Sequence, residues 1–407
     1  MSGARRPWRT AVAAVITGAT AATALAATPV GAEPRPAGDR DRHTATRVAM
    51  EQAVVAGGPP GITAAAVDGH GLWRHAEGTG DLRTGRERGA DDRFRTASLT
   101  KTFTATVLLQ MEAEGELDLD DTVEKWLPGV VRGNGHDGRR VTVRQLLNHT
   151  SRIFNHLEDP EFHARYGGGE GFLKNRHQYL SPKTLIGYAL RNAPYDIPAG
   201  THRYSNTNYV LAALIIEKVA GTSYERQIRE RIIEPLELDA TSNPGASTRI
   251  PKPSARNYST LDDGPPGPVH DVTAMNGSQA WGGGDVISDT ADLNRFLRAL
   301  LRGELLPPEQ LKAMKTLVPQ PGSTGPGYGL GLETFTTSCG KQLWGHGGRL
   351  RGNVARMVAT EDGRHSLAYH VNSDWGRDKP RRLLDAEFCG TTPEAAPAAA
   401  RADALGK

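Results

Sequence analysis

The stretch RTASLTKTFTATVLLQ, Arg95–Gln110, places a serine three residues before a lysine at the start of a largely apolar run. The residues that follow the lysine, TFTATVLLQMEAEG, contain few polar positions and end at a glycine, which predicts a buried helix. Residues three apart at the start of a helix share one face. We therefore expect the ammonium group of Lys101 to lie beside the hydroxyl group of Ser98.

Burial would change the chemistry of this lysine. Desolvation lowers the pKa of a lysine from about 10.4 towards neutrality, where the free amine accepts the proton of a serine hydroxyl. The helix N-terminus adds N–H groups and partial positive charge that favour an oxyanion. The alternative is a structural lysine that follows a capping serine or threonine. The same spacing recurs at Ser338 and Lys341, in a turn between two strand-like segments, where no helix is predicted.

Two further motifs lie downstream of the first. The triplet Tyr204-Ser205-Asn206 leads into the apolar helical pattern NTNYVLAALIIEKVAG, and His346 begins His-Gly-Gly in the strand-like segment KQLWGHGG. Taken singly, a polar triplet at a helix start is a cap, and glycines in a strand mark a bulge or close packing. Only their combination with Ser98 points to catalysis.

The two ends of the chain carry strand patterns, and its middle carries helical ones. A helix over Thr44–Ala56 is followed by ITAAAVD and LWRHAEG, which predict a hairpin around Gly69–Gly71. Near the other end lie the strand-like segments YGLGLETF, KQLWGHGG, NVARMVATEDG and HSLAYHVNSD, followed by the helical RRLLDAEFC. Between them, VTVRQLLNH, SPKTLIGYALRN and TADLNRFLRALLRG show helical spacing. We predict an α/β (α+β) fold: an antiparallel sheet built from both chain ends (44–100 and 285–390) and flanked by helices, with an inserted, mostly helical domain (101–284).

The first 32 residues predict a secretory signal peptide, because three arginines precede the apolar, small-residue stretch TAVAAVITGATAATALAA. A membrane anchor is the alternative, and the export route, Sec or twin-arginine, stays open. Residues 33–43 and 391–407 predict a disordered linker and a disordered tail. We expect a secreted protein without a membrane anchor.

The sequence contains two cysteines, Cys339 and Cys389. An exported protein meets oxidising conditions, so we predict a disulfide between them, with two separate thiols as the alternative. In the chain-entropy description, closing a loop of this length stabilises the folded state by about 4 kcal/mol.

Charge and motif content argue against several classes of partner. Lysine and arginine number 49 against 46 acidic residues, for a net charge of +3, and no basic stripe carries interleaved aromatic residues, so we expect no nucleic-acid partner. No phosphate-binding or dinucleotide-binding motif occurs in the required context, so no cofactor is expected. His149, His156 and His163 recur every seventh residue without a clear helical pattern, which favours surface histidines over a zinc site, and no metal is expected.

In this order, the three motifs resemble those of the penicillin-recognising serine hydrolases, in particular the exported D-alanyl-D-alanine carboxypeptidases and the class C β-lactamases. The resemblance extends over 44–390 and includes VTVRQLLNHTS, YGLGL and AEFCG. It implies a β-lactamase/transpeptidase-like fold for that domain and hydrolysis through an acyl-enzyme. It also implies that Ser98 is the nucleophile and that Lys101 and Tyr204 transfer protons.

The same resemblance implies the substrate-binding groups. Asn206 would hold the amide carbonyl of the acyl group, and His346 would line the far wall of the site and tune Tyr204. The backbone N–H groups of Ser98 and Arg349 would form the oxyanion hole. The other residues expected to border the substrate are Gly347, Gly348 and Trp281, the last with a packing role as an equal alternative.

The sequence departs from the family pattern where a substrate carboxylate is bound. Carboxypeptidases of this type commonly have threonine at the positions of Gly347 and Arg349, and arginine at the position of Glu333. A carboxylate about 4 Å from Glu333 would be disfavoured by about 4 kcal/mol at an effective dielectric constant near 20. The alternative is that Glu333 faces solvent and Arg349 supplies the missing charge, because strand side chains alternate between faces. Arg152 also stands where the family commonly has glycine.

We expect a D-alanyl-D-alanine carboxypeptidase that cleaves peptidoglycan-type peptides and binds penicillins. Three alternatives stay open: a class C-like β-lactamase, a D-aminopeptidase or esterase of the same superfamily, and a penicillin-binding sensor that acylates without turnover. The His-Gly-Gly motif also resembles the aminopeptidase and esterase branches, in which Glu333 would attract a substrate amine. We expect a peptide or β-lactam substrate and a monomeric protein.

Overall fold

A computed structural model describes residues 42–55, 57–261, 267–320, 322, 325–375 and 382–392. The predicted signal peptide, nearly all of the predicted linker and all but two residues of the predicted tail lie outside these ranges. The described residues from His43 onwards group into one compact unit. Among the described residues, no helix is both long and apolar enough to cross a membrane.

Within the described residues, the strands form one large sheet and three small ones. They are β1 (Gly61–Asp68), β2 (Gly71–Asp81), β3 (Arg86–Glu87), β4 (Phe94–Arg95), β5 (Arg132–Gly133), β6 (His136–Asp137), β7 (Tyr258–Ser259), β8 (His270–Asp271), β9 (Ile287–Ser288), β10 (Glu333–Thr336), β11 (Gln342–Leu350), β12 (Asn353–Ala359) and β13 (Ser366–Val371). The large sheet has the order β10-β11-β12-β13-β1-β2-β3, and its neighbouring strands are antiparallel. Because β1 pairs with β13, the two ends of the chain share one sheet.

Helices fill most of the chain between these ends. The α-helices are α1 (Thr44–Ala53), α2 (Thr100–Ala113), α3 (Val123–Trp126), α4 (Val143–Leu147), α5 (Pro160–Phe162), α6 (Gly169–Asn175), α7 (Pro182–Leu190), α8 (Asn206–Ala220), α9 (Tyr224–Ile228), α10 (Thr290–Leu301), α11 (Pro308–Met314) and α12 (Arg382–Cys389). Shorter turns of 3-10 or π geometry cover Ala97–Leu99, Gly138–Arg140, His156–Glu158, His163–Gly167, Arg229–Ile233 and Gly277–Ala280.

The large sheet lies between two layers of helices. Helices α1 and α12 cover one face, where Phe335, Leu343 and Val358 form a core with them. Helix α10 covers the other face, where Met357 and Ala368 join the main core. Strands buried on alternate faces in this way follow from the period of two along a strand. The predicted α/β (α+β) fold, with an antiparallel sheet built from both chain ends and flanked by helices, is confirmed.

Two element boundaries differ from the predictions. The helix expected over Thr44–Ala56 ends at Ala53. Within the strand-like segment YGLGLETF, the strand covers only the part that begins at Glu333. The reason is visible at Gly331, which has φ 70° and where a Cβ atom would lie 2.8 Å from the carbonyl oxygen of Lys101. This part of the segment packs against the backbone of α2 instead of continuing the sheet.

Helix α2 is buried on all sides in the helical region. Its residues from Thr100 to Leu109 are buried, as expected for a helix whose sequence is apolar around its whole circumference. The hydroxyl groups of Thr102, Thr104 and Thr106 donate to carbonyl oxygens, so the polar groups on the helix are satisfied. The first turn of α2 lies where the helical region meets the sheet.

A disulfide joins Cys339, in the turn between β10 and β11, to Cys389 at the end of α12. Two hydrogen bonds accompany it. The N–H of Ser338 donates to Asp385 over 2.7 Å, and the Lys341 ammonium donates to the carbonyl oxygen of Phe388 over 2.6 Å. These contacts hold α12 against the hairpin of β10 and β11.

Candidate active site

Ser98 lies in the tight 3-10 turn Ala97–Leu99, which leads directly into α2. Ala97 has φ 53°, in the left-handed region that costs a non-glycine residue about 1 kcal/mol or more. The turn is held by Thr96, whose N–H and hydroxyl group both donate to the carbonyl oxygen of Val286. The strained turn places Ser98 on the wall of a pocket at the start of the helix.

Lys101 is fully buried one helical turn after Ser98. Its ammonium group donates three hydrogen bonds: to Ser98 Oγ over 3.1 Å, to Asn206 Oδ1 over 2.9 Å and to the carbonyl oxygen of Gly283 over 2.8 Å. Burial lowers the pKa of Lys101 to about 7, although the carboxyl groups of Asp285 and Glu333 act in the opposite direction. A lysine with this pKa exchanges a proton readily near neutral pH.

Tyr204 completes a group of three around the serine. The centre of its ring lies 5.0 Å from the Lys101 ammonium, and its hydroxyl group interacts with the side chain of Ser98. Burial raises the pKa of Tyr204 above its usual value. A phenol held in its protonated form between a serine and a lysine can pass a proton in either direction. The structure therefore brings together the Ser98, Lys101, Tyr204 and Asn206 that the three motifs singled out.

His149 and His156 are buried, so the prediction of surface histidines was wrong for both. The ring of His149 packs 4.1 Å from that of Tyr204, and its Nδ1 accepts a hydrogen bond from the Ser205 N–H over 3.3 Å. His156 contacts the hydroxyl group of Thr207 over 3.1 Å. Helix α8 covers both rings, a tertiary contact that a spacing of seven residues does not reveal.

His346 lies on β11 with only 2% of its surface exposed. Its Nδ1 faces the carbonyl oxygen of Gly347 at 2.6 Å and so carries the proton, which leaves Nε2 to accept from the Tyr328 hydroxyl at 2.8 Å. Burial lowers the pKa of His346 to about 3. No hydrogen bond joins His346 to Tyr204 within the described residues. Tyr328, a residue of the YGLGL segment that the sequence analysis did not single out, is the side chain that orients this imidazole.

The three motifs border a cavity of about 460 Å³. One wall is apolar and comes from the helical region. The opposite wall is the edge of the sheet and carries charged groups. The apolar wall includes Leu157, Leu185, Val210 and Trp281, and the sheet wall includes Glu333, His346, Gly347, Gly348, Arg349 and Arg356.

Glu333 lies in this pocket, so the alternative that it faces solvent was wrong. Its side chain is 15% exposed, and the N–H of Gly347 donates to its Oε1 over 2.6 Å. Glu333 is paired with Gly345 at the first position of β10, so Gly347 lies beyond the end of that strand and its N–H takes a side-chain acceptor instead. Burial raises the pKa of Glu333, and the nearby Arg356 guanidinium partly opposes this effect.

Arg356 also lies at this wall, and the sequence analysis did not identify it. It lies opposite Gly347 on β12, and its guanidinium packs 4.4 Å above the ring of Phe335. A Cβ atom on Gly347 would lie 3.3 Å from Glu333 Oε1 and 3.4 Å from Arg356 Nη2. A side chain at position 347 would therefore push the Glu333 carboxyl group and the Arg356 guanidinium away from the strand. Within the described residues, Arg356 forms no ion pair closer than 4.0 Å.

Gly348, the next residue, must be glycine for a different reason. A Cβ atom on Gly348 would lie 2.4 Å from the carbonyl oxygen of Thr96 and 2.7 Å from the side chain of Leu99. The strand can lie flush against the Ser98 turn only because Gly348 has no side chain. Gly348 thus brings β11 to the serine.

Trp281 borders the pocket and is also packed, so both interpretations of this residue hold. Its indole N–H donates to Glu225 over 2.8 Å, and its ring meets that of Tyr224 edge-on at 5.4 Å.

The structure also explains how Arg152 is accommodated. It adopts φ 63°, the conformation that favours glycine, and its guanidinium donates to the carbonyl oxygen of Tyr195 over 2.9 Å. In the part of the chain that the structure describes, no cluster of three or more histidine, cysteine or acidic residues is arranged to hold a metal.

The family model described as Beta-lactamase matches residues 46–388. The chain belongs to the beta-lactamase family of serine hydrolases. Its structure is similar to that of a D-stereospecific amidohydrolase from Streptomyces sp., with 50% sequence identity, a TM-score of 0.80 and coverage of 86% of this chain and 99% of that one. The match extends the motif-based assignment over almost all of the described residues.

Two curated relatives point in different directions within this family. Penicillin-binding protein 4* of Bacillus subtilis is 28% identical over 346 residues, which cover 80% of this chain and 71% of the relative. The D-aminopeptidase of Brucella anthropi is 28% identical over 339 residues, which cover 78% of this chain but 57% of that enzyme. Both relatives and the family model agree on the β-lactamase-family fold and the hydrolase class.

Proposed function

We propose that this family member hydrolyses the amide bond that follows a D-amino acid with a free amino group, as a D-stereospecific amidohydrolase or D-aminopeptidase. The observation that carries the proposal is the Glu333 carboxyl group in the pocket. A substrate ammonium about 4 Å away would gain about 4 kcal/mol, and a substrate carboxylate would lose as much. Either effect corresponds to about a thousandfold in affinity.

In the proposed reaction, Ser98 Oγ forms a bond to the substrate carbonyl carbon while its proton passes to Lys101, directly or through Tyr204. The carbonyl oxygen becomes an oxyanion, which the N–H groups of Ser98 and Arg349 would stabilise. The carbon–nitrogen bond then breaks, and the amine leaves with the transferred proton. Water attacks the acyl-enzyme, gives up its proton to the same groups, and releases the D-amino acid and free Ser98.

Similarity supports this choice of substrate. The structure with 50% identity is named a D-stereospecific amidohydrolase, and one curated relative is named a D-aminopeptidase. The apolar wall formed by Leu185, Val210 and Trp281 suits an apolar side chain on the D-residue. From the serine outward, the pocket thus offers a nucleophile, an apolar side-chain wall and an acidic group at the sheet edge.

A D-alanyl-D-alanine carboxypeptidase is the second candidate, and Arg356 favours it. Its guanidinium borders the same pocket, reaches it from the strand on the other side of β11, and could bind a terminal carboxylate in place of the missing arginine. Similarity to penicillin-binding protein 4* also supports this candidate. Glu333 opposes it, because its carboxyl group lies beside the same Gly347 and would repel a substrate carboxylate bound there.

The deciding experiment compares D-phenylalanine amide, its L-enantiomer, N-acetyl-D-phenylalanine amide and an N-acylated peptide ending in D-Ala-D-Ala. We expect kcat/KM to be highest for the free D-amino acid amide. Glu333→Gln, which keeps an acceptor for the Gly347 N–H, should reduce the preference for the free amine over the acetylated amide at least tenfold. Glu217→Gln, a carboxyl change on α8 outside the pocket, should leave that preference unchanged.

The two candidates give opposite results in this assay. Release of D-alanine from the acylated peptide that is unaffected by Glu333→Gln and lost in Arg356→Gln would favour the carboxypeptidase. No preference for a free amine in the unchanged protein would reject the amidohydrolase proposal.

We also propose that the protein is exported. The basic and apolar N-terminal stretch supports this, as does the Cys339–Cys389 disulfide, which suits an oxidising compartment. N-terminal sequencing of protein recovered from the culture medium would test the proposal, with cleavage expected after Ala26 or Ala32. An uncleaved N-terminus in the cell fraction would contradict it.

A further inference from the structure

A turn of three glycines lies directly behind the lysine of the active site. Lys101 donates to the carbonyl oxygen of Gly283 over 2.8 Å, and Thr104, one turn further along α2, donates to that of Gly282 over 2.8 Å. A Cβ atom on Gly283 would lie 3.1 Å from the Lys101 ammonium nitrogen. The turn therefore contacts α2 through backbone atoms alone. Its position determines where Lys101 donates its hydrogen bonds.

Asp285 follows this turn and is buried, with 1% of its surface exposed. The Tyr224 hydroxyl donates to its Oδ1 over 3.3 Å, and the side-chain amide of Asn243 donates to its Oδ2 over 3.5 Å. Both donors are neutral, and among the described residues no cationic group lies within 4.0 Å of the carboxyl group. The N–H of Asp285 itself also bonds to the carboxyl group. A buried carboxyl group held by neutral donors is costly, and the proposed reaction does not use it.

The charge of Asp285 acts on two buried cations, Lys101 on α2 and Arg95 on β4, and the carboxyl group of Glu225 acts on Asp285. Burial raises the pKa of Asp285 to about 7 and lowers that of Lys101 to about 7. Burial thus disfavours the charged form of both groups. In such a pair, the charge on one group depends on the charge on the other.

We propose that Asp285 is a positioning residue for proton transfer: it anchors the Gly282–Gly284 turn that binds Lys101, and its negative charge balances the lysine ammonium. The proposal rests on the proposed role of Lys101 as the base. When Lys101 takes the proton of Ser98, a cation forms in a fully buried place. The carboxylate behind it stabilises that cation without touching the substrate.

The other titratable groups around Lys101 leave Asp285 in a distinct role. Burial keeps the nearby histidines neutral by lowering their pKa values, and the nearby tyrosines stay protonated because burial raises theirs. Glu333 is the remaining carboxyl group that acts on Lys101, and it lies in the substrate pocket. The groups that face Lys101 or Asp285 are His149, His156, His346, Tyr204, Tyr209, Tyr224, Glu225, Glu333 and Arg95.

The test is the pH dependence of kcat/KM in Asp285→Asn. If Lys101 is the base, kcat/KM falls at low pH as the lysine takes up a proton, and the midpoint of this acidic limb reports its pKa in the free enzyme. Removing the neighbouring negative charge makes the ammonium less stable. We expect the midpoint to move to lower pH by about one unit. The midpoint does not depend on how much of the variant is folded.

Two further variants make the test specific. Asp292→Asn makes the same change at a carboxyl group on α10 that accepts bonds from Thr241 and Ala240, and its midpoint should equal that of the unchanged protein. Tyr224→Phe removes one donor from Asp285, which favours the protonated carboxyl group, so its midpoint should move in the same direction by less. If Asp285→Asn does not fold, Tyr224→Phe decides.

A p-nitrophenyl ester is the substrate of choice, because its hydrolysis does not require recognition of an amine by Glu333. A midpoint that stays in place or rises in both Asp285→Asn and Tyr224→Phe would overturn the proposal and leave the proposed substrate class untouched. An acidic limb that persists in Lys101→Met would instead reject the lysine as the base, and with it both the proposed reaction and the role of Asp285.

Discussion

The chain contains the Ser-x-x-Lys spacing twice, and the two copies have different surroundings. At Ser98 and Lys101 the spacing spans the start of a buried helix, and the ammonium group binds the serine hydroxyl over 3.1 Å. At Ser338 and Lys341 it spans an exposed turn between two strands, and the ammonium group binds the carbonyl oxygen of Phe388 over 2.6 Å. The same four-residue pattern is a hydrogen-bonded pair beside the pocket in one place, and in the other it is part of the contact between α12 and the turn that carries the disulfide.

The difference shows that burial, and not spacing, gives the lysine its chemistry. Lys101 has lost its water, so its pKa falls to about 7 and its free amine becomes accessible near neutral pH. Lys341 is exposed to solvent, and its neighbour Cys339 ties the turn to α12. Substitutions at matched positions of the two copies can therefore separate catalysis from stability.

The largest expected effect is at the serines. Ser98→Ala should lower kcat by about 10⁴-fold or more, because it removes the atom that is acylated, whereas Ser338→Ala should leave kcat within about twofold. Steady-state kinetics and the intact mass of protein treated with a serine-directed acylating inhibitor measure both. Acylation that persists in Ser98→Ala would place the nucleophile elsewhere.

The lysines should give the next largest effect. Lys101→Met keeps the apolar stem but removes the base, and should lower kcat/KM by about 10²–10⁴-fold. Lys341→Met should leave kcat/KM unchanged and lower only the melting temperature, because it loses the bond to Phe388. Equal rate losses in the two variants would contradict the comparison.

The disulfide should affect stability and not rate. Replacing both Cys339 and Cys389 with serine opens a loop with a sequence separation of 50 residues. The free energy of unfolding should fall by up to about 4 kcal/mol, and kcat at 25 °C should be retained, because the disulfide lies outside the pocket. Chemical denaturation followed by circular dichroism measures the first quantity. A large loss of kcat in folded protein would mean that the disulfide also positions β11.

Much of the fold could be read from local patterns. Short strand-like segments bounded by turn residues predicted the terminal strands, spacing of three and four predicted α8 and α10, and the apolar run after Ser98 predicted a buried helix. These predictions succeed because periodicity reports which sides of an element are buried. The exception is the YGLGL segment, where Gly331 is needed for close contact with α2 and Gly329 for close contact with Met314 of α11, and not for a strand.

The site was predicted less completely. Ser98, Lys101, Tyr204 and Asn206 come together as the three motifs suggested, but the neighbours that set their charges were missed. The contacts of Tyr328 with His346, and of Arg356 with the Glu333 wall, depend on pairing between strands. His149 and His156 looked like surface residues because the helix that buries them follows about fifty residues later in the chain.

By itself, the sequence determined the protein's family-level chemistry: a serine and a lysine one helical turn apart, a tyrosine before a second helix, and a glycine pair on a strand. Only the tertiary structure decided which charged groups lie around these residues. Whether Glu333 faces water or substrate, and whether Asp285 stands behind Lys101, depends on how segments far apart in the chain are packed. Electrostatic energies depend on distance and on the loss of water, and neither quantity is written in local sequence.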